Sequence, residues 1–272
     1  MSGPGQPTAR KPRFPASAVP APGPTPRGHV LRPQRPVQQA AQDAARRAAP
    51  SGVGLDSDAV RLRMVQRLQA GGIRCEPVLQ SMSQVLRHLF VDSALAAQAY
   101  EDTSLPIGLG QTISKPSVVA RMLSLLHEGS RARELGHLGR AMEIGTGCGY
   151  QAALLCLLAR QVVSIERLEP LHEQARQRLA PWRAQRLMLI WGDGMLGHGP
   201  SAPYDSIISA AGGDDIPAAW MEQLAVGGRL VAPVQSDAHG GHMLLVVDRH
   251  AEGWARTLHE PVHFVPLKSG AQ

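Results

Sequence analysis

The sequence predicts an α/β fold: a doubly wound, mostly parallel sheet with a helical subdomain on its N-terminal side. Three observations carry that expectation. From residue 140 onward, short apolar runs alternate with stretches of helical periodicity. The first of those runs ends in the glycine cluster Gly145-Thr146-Gly147-Cys148-Gly149. Between residues 57 and 129, apolar residues recur three and four positions apart instead.

The helical part begins where Ser57 can cap a helix whose face is Val60, Met64, Val65 and Leu68, stopped by Gly71-Gly72. Pro77 opens a second helix, with Val78, Leu79, Met82, Val85, Leu86 and Leu89 facing inward. A third covers Ala94 to Tyr100. Residues 105–114 are rich in glycine and hydroxyls and read as a loop. Pro116 then opens a helix with the face Val119, Met122, Leu123 and Leu126, closed by Gly129. Beyond it, strands are expected at 140–144, 162–166, 187–191, 204–210 and 229–234, and helices at 150–160, 170–180 and 216–224. Extended runs at 242–248 and 254–265 close the chain. Strands that alternate with helices imply parallel pairing, with both sheet faces covered.

Charge and composition divide the 272 residues unevenly. The first fifty hold eight Lys/Arg, one acid (Asp43) and eleven of the 22 prolines, a net charge of +7. The remainder is close to neutral, with twenty basic and twenty-one acidic side chains. Such a segment buries too little to offset chain entropy, so residues 1–55 are expected to be a disordered basic tail. It lacks the continuous apolar segment of a secretory signal, and nucleic-acid contact by it is not expected. Residues 56–135 are assigned to the helical subdomain and a site loop, and 136–272 to the α/β domain. No apolar run approaches the ~18 residues of a membrane span. Cys75, Cys148 and Cys156 form no C-x-x-C pair, which fits reduced thiols in the cytoplasm. His239 and His242 come nearest to metal-ligand spacing, but their glycine-rich setting reads as a turn, so no metal is expected. A monomer is expected, since no surplus apolar helix face or heptad is visible.

The chemistry gathers at strand ends. Glu143 leads the glycine loop, whose G-x-G-x-G spacing differs from the dinucleotide fingerprint G-x-G-x-x-G. Gly145, Thr146, Gly147 and Gly149 let the backbone turn sharply and approach a ligand closely. Alone, such a turn can be purely structural. The second strand ends in Glu166, twenty-one residues past Gly145, where a carboxylate would meet a ribose diol. The third ends in Gly192-Asp193-Gly194, where a carboxylate can accept from an adenine amino group. Singly, either acid could be an ordinary strand end. Together, with no P-loop lysine, they describe a site for a nucleoside without phosphates, and S-adenosylmethionine fits that description.

With these motifs on the page, the chain resembles the protein-L-isoaspartate O-methyltransferases. The resemblance spans roughly residues 57–270. Its most specific stretch is Leu105-Pro106-Ile107-Gly108-Leu109-Gly110-Gln111-Thr112-Ile113-Ser114, followed by Glu143 to Tyr150, Glu166-Arg167, Gly192-Asp193-Gly194 and Phe264-Val265-Pro266-Leu267. It implies a fold of the adenosylmethionine-dependent methyltransferase type. The activity it implies is methylation of the free α-carboxylate of L-isoaspartyl, and also D-aspartyl, residues in damaged proteins, with repair through a succinimide. It further implies Ser114 as the active-site hydroxyl, Thr112 and Ile113 beside the methyl donor, and the Val265-Pro266-Leu267 backbone as the holder of the substrate peptide. Departures are Ser117 where histidine or an aromatic is common, Cys148 for serine, Gly212-Gly213 for Ala or Pro, and Lys268 after Val-Pro-Leu. The glycine pair is expected to loosen the substrate-side loop.

Residue types support an enzyme of few parts. An isoaspartyl α-carboxylate, with a pKa near ~3.5, is already an anionic nucleophile at neutral pH. No general base is needed, and alignment can supply ~7–11 kcal/mol. Ser114 is expected both to orient that carboxylate and to cap the helix opened by Pro116. Two rival readings are another methyltransferase acting on a small molecule or nucleic acid, and a non-catalytic binding protein that keeps the pocket.

Overall fold

The computed structural model describes Met1 and residues 58–183, 186–236 and 240–272. Ser57, the rest of the N-terminal segment and His239 lie outside the described residues. Residues 58–272 fall within one compact unit.

The first helix, α1 (Asp58–Ala70), buries Met64, Val65 and Leu68, the face that its periodicity predicts. The second, α2 (Glu76–Gln84), starts at Pro77 as expected but stops early: Val85 is extended, with its amide turned back to the Ser81 carbonyl at 3.0 Å. A 3₁₀ turn (Arg87–Phe90) follows and rotates the chain, so Arg87, His88 and Phe90 point inward while Leu89 is 54% exposed. The inward Leu89 is thus corrected. The expected third helix is a 3₁₀ segment, Ser93–Gln98.

The stretch expected to be a loop is a small antiparallel hairpin, β1 (Leu105–Gly108) and β2 (Gln111–Ile113). Its turn, Gly108-Leu109-Gly110, has three successive positive φ values of 96°, 53° and 70°. Two glycines make that turn possible; Leu109 accepts an unfavourable backbone region to stay in it. Next comes α3 (Pro116–His127), with the predicted face buried, and then a short helix, α4 (Ser130–Leu135), that periodicity did not reveal.

The α/β portion follows the predicted alternation: β3 (Arg140–Ile144), α5 (Tyr150–Leu158), β4 (Gln161–Glu166), α6 (Glu169–Arg178), α7 (Ala180–Arg183), β5 (Leu187–Trp191), β6 (Tyr204–Ser209), α8 (Ala218–Gln223), β7 (Leu224–Ser236), β8 (Gly241–His250) and β9 (Gly253–Val262). The sheet order is β5-β4-β3-β6-β7-β8-β9. Pairing is parallel from β5 to β7, and the last two junctions are an antiparallel meander. The order therefore reverses between β3 and β6, where an open α/β sheet leaves a crevice beyond its carboxyl ends.

Alternation along the strands sorts the core into two layers. Ala141, Val162, Ile208 and Val231 pack on the side of α2, α3 and α5. Met142, Ile144, Val163, Ile165 and Ile207 pack with Trp220 on the other. Glu143 shares its parity with Ala141, and Ser164 and Glu166 share theirs with Val162, so all three face the α5 side. Long arginines tie α3 to the sheet's far edge. Arg229 grips Asp248 with two bonds of 2.7 and 2.8 Å and donates to the Leu125 carbonyl, while Arg121 reaches Glu260 at 2.7 Å.

Candidate active site

At the switch point lies a cavity of about 540 Å³, walled by the ends of β3, β4 and β6, the β1–β2 hairpin, and the segment after β9. Thr112, Ile113, Ser114, Gly145, Thr146, Gly147, Glu166, Gly194, Val265, Pro266 and Leu267, all anticipated from sequence, line it. Glu143, Gly149 and Asp193 do not.

Glu143 sits behind the glycine loop with no exposure. It accepts from the Ser164 hydroxyl at 2.5 Å, and Ser164 is 2.6 Å from the Thr146 hydroxyl. Either hydroxyl of the Thr146–Ser164 pair can be the donor. This buried relay ties the loop to both strands. Burial pushes the Glu143 carboxyl up to about 8, with the nearby Glu166 charge adding to the effect and the Ser164 and Gln151 contacts opposing it. Near neutrality it is mostly a neutral acid.

Glu166 is 5% exposed, and its two oxygens accept from the amides of Gly147 at 2.8 Å and Leu168 at 3.0 Å. Each oxygen keeps a second lone pair for a ligand. The acid thus also shapes the glycine loop. Asp193 caps the turn at Met195 with one oxygen (2.9 Å) and accepts from the Gly270 amide with the other (2.7 Å). Gly149, with φ of 94°, packs against Leu179 and opens α5.

Ser114 is half-buried on the cavity wall. Its expected capping role is corrected: the cap position of α3 is Lys115. The Asp102 carboxylate takes the Ser117 amide at 2.8 Å, and the Lys115 carbonyl takes those of Val118 and Val119. The Ser114 side chain is therefore not the cap of its helix, because another side chain does the capping.

The Gly212-Gly213 expectation is also corrected. Gly212 donates to the Val265 carbonyl at 2.8 Å and accepts from the Leu267 amide at 2.7 Å, while Gly213 bridges to β7. A Cβ at Gly212 would lie 2.5 Å from the His242 ring. Glycine there permits a close approach and leaves the segment doubly bonded, the opposite of loose. In that register Pro266 turns its carbonyl outward and, being proline, offers no donor beside it.

Sequence reading missed Arg167 and Gln272, which also line the cavity. The Gln272 amide donates to the Arg167 carbonyl at 2.7 Å, so the last residues fold across the ends of β4 and β5. No periodic pattern marks such a segment. Arg87, which holds the Ser114 carbonyl, was missed because a lone arginine between leucines reads as surface.

The donor set suits S-adenosylmethionine. The cavity volume is in the range for a ligand of that size, and the wall beside the glycine loop is apolar (Ile144, Ile165, Leu168, Leu171) with the carboxyl group of Glu166 among it. A Cβ at Gly194 would come within 2.6 Å of Ile144, so the floor is already closely packed. The fold and this site define an adenosylmethionine-dependent α/β methyltransferase.

Residues 60–272 match the family model described as protein-L-isoaspartate(D-aspartate) O-methyltransferase. A protein-L-isoaspartate O-methyltransferase of Methylibium petroleiphilum is 61% identical over 242 residues, covering 89% of this chain and 89% of the relative. One from Leptothrix cholodnii is 62% identical over 240 residues, 88% of this chain and 84% of the relative. Among solved structures, a protein-L-isoaspartate O-methyltransferase superposes with a TM-score of 0.68 at 22% identity, over 77% of this chain and 66% of that one. A putative one from Plasmodium falciparum, in complex with S-adenosyl-L-homocysteine, gives 0.63 at 22%, over 76% and 98%. The chain belongs to the protein-L-isoaspartate(D-aspartate) O-methyltransferase family.

Proposed function

We propose that this chain methylates the free α-carboxylate of L-isoaspartyl, and also D-aspartyl, residues in damaged proteins, using S-adenosylmethionine. The observation that carries the reading is the Ser114 hydroxyl. Ser114 lines the cavity and does not cap its helix, on a wall shared with the glycine loop and with Val265-Pro266-Leu267. When bound, adenosylmethionine supplies an electrophilic methyl on a sulfonium whose leaving group is a neutral thioether.

The chain's own residues then have three tasks. Glu166 takes the ribose hydroxyls on its free lone pairs, with Thr112, Ile113, Thr146 and the backbone of Gly145, Gly147 and Gly194 around the rest of the donor; Asp193, Glu143 and Gly149 hold that frame from behind. Ser114 donates to one oxygen of the acceptor carboxylate and leaves the other aimed at the methyl. The outward Pro266 carbonyl accepts an amide of the substrate backbone, so the peptide lies extended beside Val265 and Leu267. No residue needs to remove a proton, because the nucleophile arrives ionised. The β1–β2 hairpin, as a wall of the cavity, would shield the bound carboxylate from water and so strengthen the attraction between the reacting charges.

Among the described residues no helix is long and apolar enough to cross a membrane. We read the enzyme as a cytoplasmic monomer acting on isoaspartyl proteins and peptides, with no metal and with a basic tail that does not bind nucleic acid. Three free thiols and apolar exposures scattered over separate elements, such as Leu62, Leu157 and Leu258, support that reading. Ser114→Ala is expected to lower turnover of an isoaspartyl peptide about tenfold or more while leaving adenosylmethionine affinity nearly unchanged, as loss of one hydrogen bond to a charged group implies. Unchanged turnover would sink the role of Ser114.

A further inference from the structure

Arg87 has no exposure, yet it joins no ion pair among the described residues. Its Nε donates to the Ala99 carbonyl at 2.7 Å and one Nη to the Ser114 carbonyl at 2.8 Å; the other Nη is buried without a partner. The guanidinium lies over the Tyr150 ring, 4.8 Å from its centroid. Burial pushes the Tyr150 phenol up to about 12, so that ring is no counter-ion. A buried cation with no carboxylate in ion-pair contact, only the more distant charge of Asp102, is costly to a fold, and apolar replacements of similar volume often stabilise such sites. Packing alone therefore gives a poor reason for an arginine here.

Its neighbours supply another reason. Ser114 ends the hairpin segment just before α3, and Tyr150 begins α5 just after the glycine loop. One planar group thus touches both the acceptor wall and the root of the donor loop. We propose that Arg87 is a positioning residue for the methyl acceptor, which fixes the Ser114 backbone relative to the glycine loop and so aims the Ser114 hydroxyl. The inference rests on the acceptor role given to Ser114 above. A guanidinium can serve the two carbonyls and the ring together through its rigid fork; a lysine ammonium, a compact point charge, cannot. Its charge has a second consequence. It stabilises an anionic acceptor bound beside Ser114, and that stabilisation is lost as the carboxylate becomes a neutral ester. The charge therefore shows in peptide KM, and the fork shows in kcat.

The test is a double-mutant cycle on the full chain, with Arg87→Lys and Arg87→Met each made in the wild-type and Ser114→Ala backgrounds. Readouts are folding by circular dichroism and Tm, adenosylmethionine Kd by calorimetry, and kcat and KM for an isoaspartyl peptide. Since a misplacement of ~1 Å can cost ~100-fold, Arg87→Lys is expected to lower kcat about tenfold or more with KM and cofactor Kd held within about twofold. Arg87→Met should fold and raise KM as well. In the Ser114→Ala background neither Arg87 change should cost much further in kcat, while Arg87→Met should keep its KM effect, which the hydroxyl does not carry. Equal kcat losses in both backgrounds, a loss confined to cofactor affinity, or failure of both variants to fold would each overturn the proposal and make Arg87 structural. If Ser114→Ala alone leaves turnover unchanged, the acceptor reading falls and takes this one with it; an additive cycle sinks this one alone.

Discussion

Replacing Glu166 probes the cofactor half of the site, and the structure makes the expected cost two-part. The carboxylate is 5% exposed and accepts from the Gly147 and Leu168 amides. Glu166→Ala strands both donors, at about 1–3 kcal/mol each, and so lowers Tm as well as loosening the glycine loop. It also removes the lone pairs assigned to the ribose, and bonds to a charged acceptor contribute about 1.5–3 kcal/mol. That corresponds to a tenfold to hundredfold weaker adenosylmethionine Kd, at about 1.4 kcal/mol per decade. Glu166→Gln separates the parts. Its single carbonyl oxygen can serve one amide, but its NH₂ faces the other, so the loop is partly kept while the charge is gone. Calorimetry at a temperature where each variant is folded measures the binding, and thermal unfolding measures the frame. Equal adenosylmethionine affinity for the wild type and both variants, with Tm lowered, would refute the ligand placement and leave Glu166 as a loop brace.

Other expectations follow from the same geometry. Glu143 ionises at about 8 in the fold against 4.5 ordinarily. The folded state therefore binds more protons than the unfolded one across that window, and the stability this residue contributes falls from pH 4.5 to 8. Glu143→Gln should flatten that part of a Tm–pH profile, and an unchanged slope would mean another group sets it. Gly149→Ala forces a Cβ at φ of 94° to 2.7 Å from the buried Leu179, and should lower Tm by several degrees through strain and overpacking. A chain starting near Ser51 should keep its Tm and its peptide methylation, because a segment with a net charge of +7 and eleven prolines has a composition poorly suited to building a core; a large fall in Tm would show that the segment contributes to folding.

What could be read in the sequence was whatever leaves a local pattern. β3, its glycine loop and β4 follow from apolar runs ending in glycine or acid, and their parallel register puts Glu143 opposite Ser164. Long-range partners leave no such pattern. Nothing near Ser114 announces that Asp102 will cap its helix, or that Gly270 and Gln272 will fold back onto Asp193 and Arg167. The hairpin at 105–113 was hidden by the glycines that allow its turn. The early end of α2 turned Arg87 inward and Leu89 outward, which inverted the usual reading of charge as surface and leucine as core. The cavity lining was therefore largely legible, and the residues that brace it from behind were not.

The central claim is that the site accepts a carboxylate one methylene from a main chain that continues as an amide. The most direct measurement is transfer of labelled methyl from adenosylmethionine to two peptides that differ only in isoaspartate versus aspartate at one position. Normal aspartate presents its carboxylate in the wrong place, and since ~1 Å of misplacement can cost ~100-fold, kcat/KM should favour the isoaspartyl peptide by at least that factor. Equal methylation of the two, or preferential labelling of a small carboxylate or an RNA pool in the same assay, would contradict the account.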